Sequence, residues 1–352
     1  MMSKKNGAKS QETPLSPAEE QAKINELRAL LGPLTGKLLL YCSDASLARY
    51  LRARNWNMKK AAKMLKEALK WRLEYKPEEI RWEDVAHEAE TGKIYRANYV
   101  DKYGRTVLVM RPGFQNTSSS KGQIKYLVYC MENAVLNLPP DQEQMVWLID
   151  FKGWKAGAIS VKVTRETARI LQGCYPERLG LAILYNPPKI FESFFSVVKP
   201  FLEPKTYRKV KFVYSKDLES RRIMEEAFDM DKLECAFGGL NPIEFNVVDY
   251  GQRMKEDDNK MALHWNSSVS TLSSNNSAET KSFLDTNNFE VGSDSSDKDV
   301  NLESLDIESD SDGCPKAVLQ DSSCLDSDPD TSAKMNKKDD PVKLESSSNS
   351  SA

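Results

Sequence analysis

The 352-residue chain is predicted to fold as an α/β protein with a mainly parallel sheet, preceded by a three-helix unit and followed by a disordered acidic tail. Three observations lead there. Four largely apolar runs of strand length alternate with segments of helical periodicity, the pattern of a parallel sheet covered on both faces. Ahead of the first run, apolar residues recur only at helical spacing. From Asn266 onward the chain holds 22 Ser, 18 acidic and 7 basic residues, a net of −11, with no Trp or Tyr. Such a segment buries too little apolar surface to offset the entropy of ordering.

The elements are taken in chain order. Ser16 to Leu31 is expected to be helical on Ala22, Ile24, Leu27, Leu30 and Leu31, with Pro17 in the first turn and Gly32-Pro33 as the stop. Ser43 or Asp44 caps the next helix, in which Leu47, Tyr50 and Leu51 make the buried stripe and Arg49, Arg52 and Arg54 fall elsewhere on the cylinder. Asn55-Trp56-Asn57 breaks it. A third helix runs from about Met58 to Tyr75 on Ala61, Ala62, Leu65, Ala68, Leu69 and Leu73, and Pro77 ends it. Three helices this short make little core, so the unit is expected to dock on the sheet domain C-terminal to it.

The period then changes. Thr106–Met110 reads as a strand, Lys121 to Leu138 as a long helix stopped by Pro139-Pro140, and Met145–Ile149 as a buried strand. Thr164 to Cys174 is helical, and Leu181–Tyr185 and Val210–Tyr214 complete the sheet. No GxGxxG or GxxxxGK[ST] loop follows any strand, which argues against a dinucleotide or NTP site. Between the last two strands, Ile190 to Leu202 is a helix-length element apolar over much of its circumference through Phe191, Phe194, Phe195, Val198 and Phe201. Two readings stand: a crossover helix packed on the sheet, or a gate over an apolar cavity or against a bilayer. The predicted organisation is 1–15 disordered, 16–80 helical subdomain, 81–253 sheet domain and 254–352 disordered Ser/Asp-rich tail.

Composition narrows the function classes. Met1 to Pro14 is Lys-rich with no apolar core, so no export signal is expected. The most apolar stretches fall short of the ~20 residues a membrane span needs, so a soluble cytoplasmic protein is expected. Cys42, Cys130, Cys174, Cys235, Cys314 and Cys324 form no CxxC pair and read as reduced thiols. With only His87 and His264 there is little material for a metal site or a His-centred hydrolase. No catalytic residue, metal ligand or cofactor is assigned, and the protein is expected not to be an enzyme.

Three places resemble one family. Leu47-Ala48-Arg49-Tyr50-Leu51-Arg52-Ala53-Arg54, followed by a helix ending in Lys70-Trp71-Arg72, resembles the N-terminal helical subdomain of CRAL-TRIO lipid-binding proteins. Cys174-Tyr175-Pro176-Glu177-Arg178-Leu179-Gly180, an Asn186-Pro187-Pro188 turn and Lys199-Pro200-Phe201-Leu202-Glu203-Pro204-Lys205-Thr206 resemble the phosphatidylinositol/phosphatidylcholine transfer branch of that family. Phe237-Gly238-Gly239 is similar to the domain's closing motif. These matches span some 200 residues between about Asp44 and Asp249.

The resemblance implies a deep apolar cavity holding one phospholipid tail-first, closed by the gate helix at Ile190 to Leu202. Two acyl chains present ~30 CH2 groups at about 0.8 kcal/mol each, so their release into water would cost on the order of 20 kcal/mol. The family's inositol-lipid headgroup positions fall on Arg54, Glu177, Thr206 and Lys209. Arg54 and Lys209 suit a phosphodiester charge, Thr206 a phosphate oxygen, and Glu177 the electrostatic network or the inositol hydroxyls. The implied ligand is phosphatidylinositol. The implied partners are anionic membranes contacted transiently and peripherally, together with lipid kinases, for a chain expected to be monomeric. Positions that serve phosphatidylcholine in the family depart here: Met145 and Trp147 stand on the strand that presents hydroxyls, and Ala97 and Leu108 stand where tyrosines do.

Other readings remain. Arg49, Arg52, Arg54, Lys59, Lys60, Lys63 and Lys66 make a basic stretch, but it lacks a recognition helix and serves equally against anionic lipid, so no nucleic acid is expected. A Cys174/Arg178 phosphatase would need an anion-cradling loop and a base that the sequence does not supply. A CRAL-TRIO protein sensing a tocopherol, retinoid or sterol without transfer activity is the principal alternative. In the tail, Ser296, Ser309, Ser323 and Ser327 each precede an acidic residue by three positions. Phosphorylation there would deepen its negative charge against residues 1–265, which carry a net +9.

Overall fold

The computed structural model describes residues 14–155, 160–191 and 204–272. The predicted 1–15 segment is thus almost wholly outside the described residues, as are the gate positions Phe194, Phe195, Val198 and Phe201 and the four tail serines.

Helix α1 (Pro17–Leu31) starts in a capping box between Ser16 and Glu19 and stops at Gly32, whose φ of 74° suits glycine. It buries Ile24, Leu27 and Leu31, whereas Ala22 and Leu30 face outward. A short α2 (Gly36–Tyr41) adds a fourth helix to the expected three. Helix α3 (Asp44–Ala53) is capped by the Ser43 hydroxyl, which accepts from the Ser46 amide. Its buried face includes Leu47, Tyr50 and Leu51 and also Arg49, which is 8% exposed. Arg49 therefore does not lie on a solvated face, because Glu143 accepts from it at 2.6 Å.

Asn55 and Trp56 adopt positive φ and turn the chain into α4 (Met58–Tyr75), capped by Asn57. This helix docks the N-terminal unit on the rest of the molecule. Arg72 near its end donates to both carboxylate oxygens of Glu132 at 2.9 and 3.0 Å, with both side chains buried. Helix α5 (Trp82–Ala89) leads into the sheet.

Five strands lie in the order β1-β2-β3-β4-β5, namely β1 (Ile94–Val100), β2 (Thr106–Met110), β3 (Met145–Asp150), β4 (Leu179–Tyr185) and β5 (Val210–Val213). β1 pairs antiparallel with β2, and the other three pairings are parallel. Helix α6 (Ser120–Leu136) links β2 to β3, and α7 (Val161–Cys174) links β3 to β4. Helix α8 (Pro204–Arg208) immediately precedes β5, and α9 (Leu218–Ala227) and α10 (Val247–Leu272) come after it. The sequence boundary at 253/254 falls inside α10. That helix continues because Tyr250, Met254, Met261 and Trp265 recur at helical spacing and are buried, so the predicted tail cannot start at 254.

The two faces of the sheet are covered differently. On one, Tyr95 bonds Glu234 at 3.2 Å, Tyr185 packs edge-on to Phe237, and Val109, Leu148 and Ile183 have no exposed surface. On the other, Arg96 reaches Asn133 of α6 and Thr106 donates to the Asn137 carbonyl. Register sets Leu108, Trp147, Ala182 and Val210 in one row of that second face, and Met110, Ile149, Leu184 and Phe212 in the next. Met110, Trp147, Ile149, Val210 and Phe212 there are only half-buried. Two apolar rows of this sheet face, left partly open, are the feature that positions the site.

Candidate ligand-binding site

Two ties gather the residues singled out from the sequence. Lys209 Nζ lies 3.4 Å from Glu177 Oε2, with side chains 22% and 18% exposed. Lys205 Nζ donates to Asn55 Oδ1 at 2.8 Å and to the Arg52 carbonyl at 3.2 Å. Helix α8, which contains Thr206, is thereby held against the C-terminal end of α3, where Arg54 is the cap residue. Backbone bonds complete the assembly: the Lys209 amide donates to the Thr206 carbonyl at 3.0 Å, and the Lys209 carbonyl accepts from Ala182 of β4 at 2.8 Å. Arg54, Glu177, Thr206 and Lys209 are all partly buried.

Local backbone geometry explains why these residue types sit here. Glu177 has a φ of 57°, which reverses the chain between α7 and β4. Asn55 and Trp56, at 48° and 59°, do the same between α3 and α4. Asparagine tolerates that region, whereas glutamate and tryptophan pay about 1–2 kcal/mol each, strain of the kind that collects at ligand sites.

The charged cluster lies at the N-terminal ends of β4 and β5. Across the sheet, at the C-terminal end, Phe191 packs on Phe151 with ring centroids 4.6 Å apart, and Trp154 stands edge-on to both. The Phe151 amide bonds the Tyr185 carbonyl at 3.2 Å, which fixes this aromatic group at the far end of β4. Seven residues of strand separate the two ends by about 20 Å. The predicted gate positions beyond Phe191 lie outside the described residues.

Chemically, the arrangement offers a cationic mouth, from Arg54, Lys205 and Lys209 with Glu177 as counter-charge, and an apolar floor along the open sheet face. Lys205 is not singled out by the sequence, although it stands within the quoted motif. Its role shows only when α8 meets Asn55. The positions at which the resemblance would place choline contacts are apolar: Leu108 and Trp147 are neighbours in register, and Ala97, Leu108 and Met145 are buried. Burial pushes the Cys174 thiol up to about 12, so it is no thiolate nucleophile at neutral pH. Among the described residues no group of three or more His, Cys, Asp or Glu side chains is arranged to hold a metal ion, and no helix is long and apolar enough to cross a membrane.

Residues 89–239 match the CRAL/TRIO domain and residues 23–67 match the CRAL/TRIO N-terminal domain. The SEC14 cytosolic factor of Kluyveromyces lactis is 32% identical over 249 residues, which cover 64% of this chain and 80% of that protein. The chain belongs to the CRAL-TRIO family. The phosphatidylinositol transfer protein PDR17 of Saccharomyces cerevisiae is 31% identical over 241 residues, covering 64% of this chain and 66% of PDR17. A CRAL-TRIO domain-containing protein of Schizosaccharomyces pombe is 33% identical over 218 residues, covering 62% of this chain but 21% of that longer protein. Among solved structures, the Sfh5 crystal structure superposes with a TM-score of 0.51 at 16% identity, over 68% of this chain and 92% of that one. At that identity the likeness concerns the CRAL-TRIO fold alone, and it agrees with the N-terminal helices and mainly parallel sheet.

Proposed function

We propose that this CRAL-TRIO protein carries a phospholipid, phosphatidylinositol, between membranes or presents it to lipid kinases. Its acyl chains lie along the open sheet face of Met110, Trp147, Ile149, Val210 and Phe212. Its headgroup lies at the Arg54, Glu177, Thr206 and Lys209 cluster. The observation that carries the reading is the juxtaposition itself: the Lys209–Glu177 pair and the Lys205–Asn55 bond stand at one end of an apolar, half-covered sheet face.

The physical reasons are simple. A phosphodiester keeps its charge at neutral pH, and a partly buried anion needs cationic and hydroxyl donors around it. Acyl chains need continuous apolar cover, which residues 192–203 are suitably placed in sequence to complete. Met145 and Trp147 bring no hydroxyl to this face, so phosphatidylinositol is the preferred cargo. Exchange occurs at anionic membranes, attracted by the exposed Lys59, Lys63 and Lys66 of α4 at ~1 kcal/mol per residue near the surface. The protein works as a soluble cytoplasmic monomer and catalyses no reaction.

The test is transfer of fluorescent phosphatidylinositol between donor and acceptor vesicles. The wild-type chain is expected to accelerate it and Lys209→Ala to lose at least tenfold of the acceleration, while phosphatidylcholine moves slowly with either. Acceleration of a tocopherol, retinoid or sterol probe, without phosphatidylinositol, would replace this reading by that of a sensor for neutral ligands.

A further inference from the structure

The turn at Glu177 sends two adjacent charged side chains to different places. Glu177 meets Lys209, whereas Arg178 donates to the Glu143 carbonyl at 2.9 Å and lines a cavity of about 150 Å³ between the N-terminal helices, the Tyr175–Arg178 turn and the end of α10. Arg49, Arg72 and Arg178 all border this cavity, with one carboxylate, Glu132, and with Ser43 and His264.

The charges around it do not balance. Glu132 is held by Arg72 through two hydrogen bonds, and Glu78 lies 3.7 Å from Arg72 while also pairing with Lys37. Glu143 is shared by Arg49 and Arg52. Arg178 reaches only the carbonyl of Glu143 among the described residues, so a guanidinium with several donors left over borders the cavity without its own carboxylate. Burial, with Arg49 nearby, lowers its pKa to about 10, and the Glu143 and Glu132 carboxylates offset this only in part. A single water needs about 10–15 Å³ of such space, so the cavity has room for several water-sized atoms, enough for a phosphate group. Planar guanidinium forks match phosphate oxygens, and an anion here would supply the missing charge.

We propose that the cavity bounded by Arg49, Arg72 and Arg178 is a second anion site that takes one phosphate group, separate from the Glu177–Lys209 mouth. The phosphate belongs either to a free phosphate or phosphorylated metabolite, or to a phosphate monoester on an inositol-lipid headgroup. In both cases the recognised chemistry is a phosphate dianion.

The test uses the full chain and two probes. Inorganic phosphate is titrated calorimetrically, and binding to phosphatidylcholine vesicles containing phosphatidylinositol is compared with binding to vesicles containing its 4-phosphate. Arg178→Gln removes the unmatched cation. Ser43→Asp is the second variant: aspartate caps α3 as well as serine does, so folding is kept while a negative charge is set at the cavity wall. Lys216→Gln, exposed between β5 and α9 and away from the cavity, is the control. The expected result is saturable binding weakened at least tenfold by Arg178→Gln and by Ser43→Asp, and unchanged by Lys216→Gln. If only inorganic phosphate shows that pattern the source is a soluble phosphate; if only the monophosphorylated lipid shows it, the source is the headgroup. Absence of saturable binding of either probe, or equal affinity in wild type and in both cavity variants, overturns the proposal.

Discussion

Lys205 donates to the side-chain carbonyl of Asn55 across 2.8 Å, joining the helix that precedes β5 to the turn at the end of α3. The contact is exposed and short-range, so its worth to global stability is small, about 0.5–1.5 kcal/mol. Its worth to the headgroup cluster is larger, because Arg54 and Thr206 are the chain neighbours of the two bonded residues. Lys205→Met is expected to leave the melting temperature nearly unchanged and to slow phosphatidylinositol transfer several-fold, measured with vesicles on a folded, monodisperse sample.

Arg72 and Glu132 should behave in the opposite way. Both are buried, they share two hydrogen bonds, and Tyr175 donates to Glu132 at 2.7 Å. Removing one partner leaves a buried charge unmatched, so Arg72→Met or Glu132→Leu alone should destabilise by about 3–5 kcal/mol in urea unfolding. The double variant should recover most of that loss.

The same pair sets an acid limit. Burial raises the Glu132 pKa, but the charge and hydrogen bonds of Arg72 more than offset it, and the carboxyl ends below its ordinary 4.5. A depressed carboxyl contributes its full stabilisation above the unfolded pKa and loses it as pH falls through the folded one. Stability measured from pH 6 downward should therefore fall below about pH 4.5 in the wild type. The Arg72→Met/Glu132→Leu variant should show a shallower fall.

Thiol chemistry separates the described cysteines. Burial pushes Cys42, Cys130 and Cys174 up to about 12, while Cys235 is exposed. Iodoacetamide at pH 8, read by peptide mass spectrometry, should label Cys235 in the folded protein and reach the other three only after denaturation.

The physics of each element decides how far the sequence alone makes it legible. β2, β3 and β4 are readable because strands buried on both faces are nearly continuous apolar runs, and β5 because only the exposed Lys211 interrupts its apolar residues. β1 is not, because Arg96 and Asn98 interrupt Ile94–Val100, and an antiparallel edge strand needs no unbroken run. α10 is hidden under its charges: its stripe of Tyr250, Met254, Met261 and Trp265 is periodic but sparse. At the site, Glu177 and Lys209 are named by a motif and do pair. Arg49 is misplaced by periodicity, since nothing in a helical wheel foretells that Glu143, 94 residues away, will draw it inside. Lys205 escapes for the same reason, its partner being fixed only by tertiary contact.

Trp147 offers a test of the apolar floor. It lies in register between Leu108 and Ala182, and its indole N–H is buried without a hydrogen-bond partner among the described residues. Trp147→Thr should enlarge the cavity and supply a hydroxyl, raising the share of phosphatidylcholine among bound lipids as read by lipid mass spectrometry.

The most direct measurement is the identity and stoichiometry of lipid retained by the purified full-length chain, compared with a Glu177→Ala/Lys209→Ala variant of equal thermal stability. About one phosphatidylinositol per chain in the wild type, reduced at least tenfold in the variant, is the predicted result. A wild-type protein free of phospholipid, or one whose phosphatidylinositol content survives loss of both charges, would contradict it.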